Sequence, residues 1–375
     1  MSTLTNRRQI LTAAAAMGAA AATTPTRAEE MAVDRYIAPP RRPLAGPVRL
    51  IANENPYGPA PSARNAMLKG FDESHRYAIQ SRTELAKLIA EAENVPPDHV
   101  TVASGSGEIL TAAGLIYGRD GQTIVTGAPT FDILQRYAAK MGGIIDAVPL
   151  DAEFKFDLPA IEARVKDGVG LVYICNPNNP TGTLLGAGTL RDFCRRVSEK
   201  ATVFVDEAYM EITDDPVGNS MIDLVRDGGN VVVARTFSKV HGMAGLRIGY
   251  GLARPDIAKR LDEFRMSMPS SLGLIAAIAS IQDKEFQAYS KSKILEGRQL
   301  LYDVCDELGI AYVQSHANFV FLDTGMKSAD VMPKMKAENL LVRPVPEYDG
   351  HIRVSMGTVE EMQYFQEAVR RIYAA

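Results

Sequence analysis

Lys239 closes the string Arg235-Thr236-Phe237-Ser238-Lys239, which leaves an apolar run from Val231 to Ala234, and Arg247 follows inside Gly245-Leu246-Arg247-Ile248-Gly249-Tyr250-Gly251. An amine placed beside small hydroxyl residues and near a second cation suits a Schiff-base lysine. A desolvated pocket and a neighbouring positive charge both favour its neutral, nucleophilic form. Taken alone, the same lysine also reads as a solvated loop residue after a strand. Ser104-Gly105-Ser106-Gly107-Glu108 offers a different chemistry. A glycine-rich turn that feeds a helix presents free N–H groups and the positive end of the helix dipole, which hold phosphate; a plain N-cap at Ser106 fits the string equally. Asn176-Pro177-Asn178-Asn179-Pro180-Thr181-Gly182 gathers amides on a turn that could simply be rigid. In Asp206-Glu207-Ala208-Tyr209 an acid ends an apolar run, where it either caps a helix or meets a ligand.

Such strings need a scaffold, and the residue pattern supplies one. Short β-branched runs at Val100 to Ala103, Gln122 to Val125, Ile144 to Val148, Leu171 to Cys175, Thr202 to Val205 and Asn230 to Ala234 alternate with longer amphipathic stretches. These stretches are Ser81 to Glu93, Gly107 to Tyr117, Phe131 to Met141 and Ala187 to Ser198. The alternation predicts an α/β fold with a mainly parallel sheet covered on both faces. Ligands of such sheets bind beyond the carboxyl ends of the strands, where all four strings fall. From Pro269 the texture changes. A long helical stretch (Leu274 to Leu308), the run Asn318 to Leu322, a helix near Ala329 to Glu338, strands at Leu341 to Val342 and His351 to Ser355, and a closing helix from Val359 to Tyr373 predict a smaller α+β domain. The expected division is an arm at 29–60, a large domain at 61–268 and a small domain at 269–375.

In order and spacing the four strings resemble the pyridoxal-phosphate (PLP) aminotransferases of fold type I, class I/II, from about Leu50 to the carboxyl end. Asn53-Glu54-Asn55-Pro56-Tyr57-Gly58-Pro59, Arg76-Tyr77, Ala317-Asn318-Phe319 and Ile352-Arg353-Val354-Ser355-Met356-Gly357 look like the histidinol-phosphate aminotransferase branch. The resemblance implies a seven-stranded large-domain sheet and a PLP cofactor held on Lys239. It implies Ser106, Gly107 and Arg247 around the phosphate, Ser238 among the cofactor-binding residues, Asp206 at the ring nitrogen, Tyr209 and Asn179 at the ring hydroxyl, and Phe131 stacked on the ring. It also implies a homodimer with shared active sites, in which Tyr77 reaches the neighbouring subunit's phosphate. Arg353 is assigned to the substrate carboxylate, near Asn179, because a guanidinium fork meets a planar carboxylate bidentately; Arg343 is a candidate for a second anionic group. The reaction implied is ping-pong transamination between an amino acid, or an amino alcohol phosphate, and a 2-oxo acid. A PLP-dependent amino-acid phosphate decarboxylase, a PLP-sensing regulator and a non-catalytic relative are the alternatives. Relatives commonly read Arg-Tyr-Pro-Asp where this chain reads Arg76-Tyr77-Ala78-Ile79, and its segment Val342 to His351 is short. Both differences fall near the substrate side chain, so the amino donor stays open.

Composition agrees with such an enzyme. The 375 residues carry a net charge of -4, 46% are hydrophobic and 23% charged, so no basic face for nucleic acid is expected. The three cysteines show no C-x-x-C spacing and the five histidines no ligand pattern, which argues against a disulfide framework and a metal site. Asn6-Arg7-Arg8-Gln9 precedes an apolar stretch from Ile10 to Ala22, with small residues at Thr26-Arg27-Ala28. This resembles a twin-arginine signal peptide over 1–28 and implies export of folded enzyme to the periplasm, with a cytoplasmic location as the alternative.

Overall fold

The six β-branched runs form six strands of a seven-stranded sheet in the computed structural model, which describes residues 46–374. The expected signal peptide and the start of the arm, through residue 45, lie outside the described residues. A short strand, β1 (Val48–Arg49), precedes the sheet. The sheet comprises β2 (Val100–Ala103), β3 (Thr123–Ala128), β4 (Ile144–Pro149), β5 (Val169–Cys175), β6 (Thr202–Asp206), β7 (Val231–Thr236) and β8 (Gly249–Leu252). Its order is β2-β8-β7-β6-β5-β3-β4, parallel throughout except that β8 runs against both neighbours. Every residue of β7 is buried, as a strand covered on both faces requires.

The pattern of β-branched runs misses β8, and the reason is physical. Three of the glycines in Gly245-Leu246-Arg247-Ile248-Gly249-Tyr250-Gly251 look like turn residues, yet Gly249 and Gly251 lie inside or at the start of this strand. They are small because the helix Ser106–Tyr117 lies directly on it: a Cβ at Gly249 would collide with the Ser106 backbone nitrogen, and one at Gly251 would meet Ile109.

The C-terminal part holds a four-stranded antiparallel sheet, β9 (Ala311–Tyr312), β10 (Phe319–Asp323), β12 (Arg343–Pro344) and β13 (His351–Ser355), in the order β12-β13-β10-β9; β11 (Leu340–Leu341) pairs in parallel with β1. The expected single helix from Leu274 to Leu308 is two helices, Ser271–Gln282 and Lys284–Leu308. Asp283 ends the first, and its side chain caps the second by accepting from the Phe286 N–H at 3.0 Å. Two apolar cores result. The first gathers the large sheet and its helices and includes Leu274, Ile281 and Phe286; the second gathers the C-terminal sheet with Ile294, Leu301 and Phe365. The second also takes Val48, Leu50, Ala208 and Tyr209, so chain from before and beside the large sheet packs with the C-terminal part. Among the described residues no helix is long and apolar enough to cross a membrane.

Candidate active site

A cleft of about 530 Å³ opens beyond the carboxyl ends of the parallel strands. At the end of β2, Gly105 takes a φ of 86°, which only glycine adopts freely. A Cβ there would collide with the Arg247 guanidinium, so the missing side chain lets a cation lie against the turn. The turn is pinned from behind by Glu108, whose carboxylate accepts from the N–H groups of Ser104, Met266 and Ser267 at 2.7, 2.9 and 3.0 Å. The helix Ser106–Tyr117 thus starts at the cleft wall, with Ser106, Gly107, Thr236 and Ser238 lining the same corner. Arg247 donates to the Ala244 carbonyl and forms no ion pair with a carboxylate among the described residues. Backbone N–H groups at a helix start, three hydroxyls and an uncompensated guanidinium make a donor set for a phosphate monoester.

Lys239 and Asp206 face the same space. The Lys239 amine donates to the Asn53 carbonyl at 2.9 Å and lies 5.2 Å from the centre of the Tyr209 ring. Burial and the Arg353 charge pull its pKa down to about 8, which keeps an appreciable neutral fraction near pH 7 to 8. Asp206, the last residue of β6, is 2% exposed and accepts from the Tyr173 hydroxyl and the Ala208 N–H, each at 3.2 Å. Burial pushes its carboxyl up to about 6 despite those two bonds. It has no cationic hydrogen-bond partner among the described residues, so a protonated ring nitrogen would complete it. Burial likewise raises the Tyr209 hydroxyl, which accepts from Asn53 Nδ2 at 3.0 Å. A phosphate corner, a low-pKa lysine and an unpaired buried carboxyl fit PLP.

On the outer side of the cleft Arg353, on β13, donates to Asn179 Oδ1 at 2.6 Å and to the Ile51 carbonyl at 2.8 Å, while its buried Nε has no partner. Arg343 stands opposite Arg353 in the β12–β13 ladder and lines the cleft. Two like charges directly across a ladder destabilise it unless an anion lies between or beside them. Phe131 contributes to the wall next to Pro129 and Thr130.

Of the residues singled out from sequence, those at the phosphate, ring and substrate positions all line this cleft. Tyr77 does not: it is 85% exposed, in the turn ahead of the helix Ile79–Glu93. Asn53, Tyr173, Asp132, Arg136 and Glu347 were not assigned roles and do line or support the site. Asn53 carried a signal, since it sits in a quoted motif; Tyr173 carried none, being one aromatic inside a buried strand. No cluster of His, Cys, Asp and Glu suited to a metal occurs among the described residues, and the three cysteines are buried and unpaired.

The family model for aminotransferase class I and II matches residues 45–369. The chain belongs to that family. The histidinol-phosphate aminotransferase of Symbiobacterium thermophilum is 36% identical over 86% of this chain and 90% of its own, and histidinol-phosphate aminotransferase 2 of Pseudomonas fluorescens Pf0-1 is 36% identical over 87% and 89%. Among solved structures, the histidinol-phosphate aminotransferase of Sinorhizobium meliloti in complex with pyridoxal-5'-phosphate superposes with a TM-score of 0.82 at 28% identity, covering 92% of this chain and 94% of that one. The aspartate aminotransferase of Thermotoga maritima, at 19% identity and a TM-score of 0.78, shares the fold. The protein is thus a PLP-dependent aminotransferase of fold type I, acting on small molecules. These relatives favour neither the decarboxylase nor the non-catalytic alternative.

Proposed function

We propose that Lys239 carries the cofactor and moves the proton, and that the amino donor is an amino acid or amino alcohol phosphate whose anionic group is held by Arg353. The observation that carries this is the convergence, in one cleft, of the lowered Lys239 amine, the unpaired Asp206 carboxyl and the orphaned Arg353 Nε. PLP, when bound, supplies an aldehyde carbon that captures amines and a ring that accepts electrons. Asp206 holds the proton on the ring nitrogen. Asn179 and Tyr209 hold the ring oxygen, and the Ser106–Ser238–Arg247 corner holds the phosphate. Arg353 would fix the donor so that its Cα–H faces the Lys239 amine, which would take that proton and deliver it to the cofactor carbon on the far side of the donor nitrogen.

Arg343 is the candidate for a second anion. The names of the similar proteins make histidinol phosphate one donor to try; the Ala78-Ile79 string and the short loop after Val342 make other donors worth equal effort. The test is a single-turnover screen of purified protein with histidinol phosphate, aromatic, acidic and aliphatic amino acids. Lys239→Ala is expected to abolish both the half-reaction and borohydride trapping of the cofactor. Trapping on another lysine would overturn the assignment.

Two further readings belong to the same proposal. A second copy of the chain is inferred to cover the exposed Phe71, Tyr77, Ile79, Met266 and Met268, with Tyr77 reaching the neighbour's phosphate corner. Phe71, Tyr77 and Ile79 leave large apolar side chains exposed within nine residues of chain, which supports an interface there. Light scattering should then give a dimer, and Tyr77→Ala should weaken cofactor retention. Arg7-Arg8 and the apolar stretch behind them support export by the twin-arginine route. Replacing both arginines with lysine should strand active, full-length enzyme in the cytoplasm; an unchanged distribution on fractionation would sink the idea.

A further inference from the structure

Asn53-Glu54-Asn55 has no part in the roles above, yet both asparagines are buried, at 2% and 6% exposure. Each grips Lys239. The Asn53 carbonyl accepts from the Lys239 amine at 2.9 Å, and Asn55 Nδ2 donates to the carbonyls of Lys239 and Val240, both at 3.0 Å. Asn318, fully buried in the C-terminal part, holds the same segment from the other side by donating to the carbonyls of Asn53 and Glu54 at 3.0 and 3.1 Å. Asn53 adopts a φ of 53°, a left-handed conformation that asparagine tolerates better than most residues. The turn that aims its carbonyl at Lys239 therefore suits its residue type.

The orientation of its side chain follows from Ser355. The Asn53 N–H donates to Ser355 Oγ at 2.8 Å, so that hydroxyl directs its own proton to Asn53 Oδ1, 2.9 Å away. With Oδ1 fixed as acceptor, the amide NH₂ faces Tyr209 and donates to its hydroxyl oxygen at 3.0 Å. A phenol has a single proton. With its oxygen accepting from Asn53, the Tyr209 proton is left for the cleft.

We propose that Asn53 is a positioning residue for two groups at once: its carbonyl seats the free Lys239 amine, and its side-chain amide, held by Ser355, turns the Tyr209 proton toward the bound cofactor. This rests on the reading of Lys239 as the cofactor-bearing lysine. Because Ser355 lies two residues beyond Arg353 on β13, the same bonds tie the strand that faces the substrate to the lysine and the tyrosine that serve the cofactor.

Asn53→Asp is nearly isosteric but replaces the donor with an acceptor, so the Tyr209 proton is drawn away from the cleft. A spectrophotometric pH titration of the Lys239–cofactor linkage in the holoenzyme reads this without turnover. Losing a donor at the cofactor's ring oxygen and gaining a carboxylate nearby both favour the protonated linkage, so the midpoint should rise by about one unit. Ser355→Ala frees the amide and should raise it less. That smaller shift should vanish in a Tyr209→Phe background, because the hydroxyl through which it acts is gone. An unmoved midpoint in Asn53→Asp overturns the proposal, and so does a Ser355→Ala shift that survives in Tyr209→Phe. Should Asn53→Asp fail to fold, the Ser355→Ala pair of measurements decides alone. Borohydride reduction and peptide mapping of the same samples separate the two readings. A label on another lysine overturns the role of Lys239, whereas a label on Lys239 with an unmoved midpoint overturns the role of Asn53 only.

Discussion

Asp206 and Glu207 are consecutive, stand at the same strand end and are almost equally hidden from water, at 2% and 0% exposure. The protein completes one and leaves the other open. Glu207 accepts from Arg235 Nε and Nη2 at 3.1 and 2.9 Å, from the Ser220 hydroxyl at 2.8 Å and from the Met221 N–H at 2.7 Å. Asp206 receives two long hydrogen bonds, both from neutral groups. A buried carboxylate without a cation is costly. Glu207 is therefore a finished joint between β6 and β7, while Asp206 is half of a pair whose other half is brought by the ligand. A functional acid is recognised here by the partner it lacks.

Removing each acid's chemistry in turn should break that contrast or sharpen it. Asp206→Ala should keep the fold and some cofactor yet lose several kcal/mol of transition-state stabilisation in the half-reaction, since a preorganised charge is gone; stopped-flow single turnovers at near-parental rates would reduce Asp206 to a structural residue. Arg235→Met leaves Glu207 and Glu93 without their shared guanidinium. Denaturant unfolding should show a loss of about 3–5 kcal/mol, the cost typical of an orphaned buried charge. An unchanged midpoint would remove the distinction between joint and half-pair.

The smallest effect has the opposite sign. Burial raises the Asp206 pKa from 3.8 to about 6. Between these values the folded apoenzyme binds the proton more tightly than the unfolded chain, so this group's contribution to stability falls as pH rises from about 4 to 6. Above that window the cost is on the order of 2–3 kcal/mol. Asp206→Asn should accordingly stabilise the apoenzyme at pH 7, change it little near pH 4, and lose its advantage once cofactor is bound to the parent. Thermal melts with and without PLP at the two pH values check it. A destabilised apo variant at pH 7 would mean that Asp206 is already satisfied.

What the sequence showed follows the same line. The six β-branched runs and the four strings after them were legible because buried parallel strands and the turns that leave them carry strong local patterns. β8 was hidden because its glycines answer to a helix packed on it. The break at Asp283 was hidden because apolar periodicity continues on both sides of it. Lys239, Asp206, Asn179 and Arg353 could be named from motifs, but the pairing of Glu207 with Arg235 depends on β6 and β7 lying side by side, with Asp206 opposite Ala234. No spacing rule conveys that. Asn53 lay in plain view in a motif, and only its distant partners Tyr209 and Ser355 give it a task.

Gly249 bears on how this chain can change. Because the start of the helix Ser106–Tyr117 rests against its bare Cα, even a methyl group there would displace the turn that lines the phosphate corner. Cofactor affinity and strand packing would fail together, with no gradual route between them. The rim at Arg343, Pro346 and Glu347 meets the same cleft from exposed positions. Directed evolution toward a new donor should find its tolerated, useful diversity at that rim, and should find Gly249 returned unaltered in every active clone.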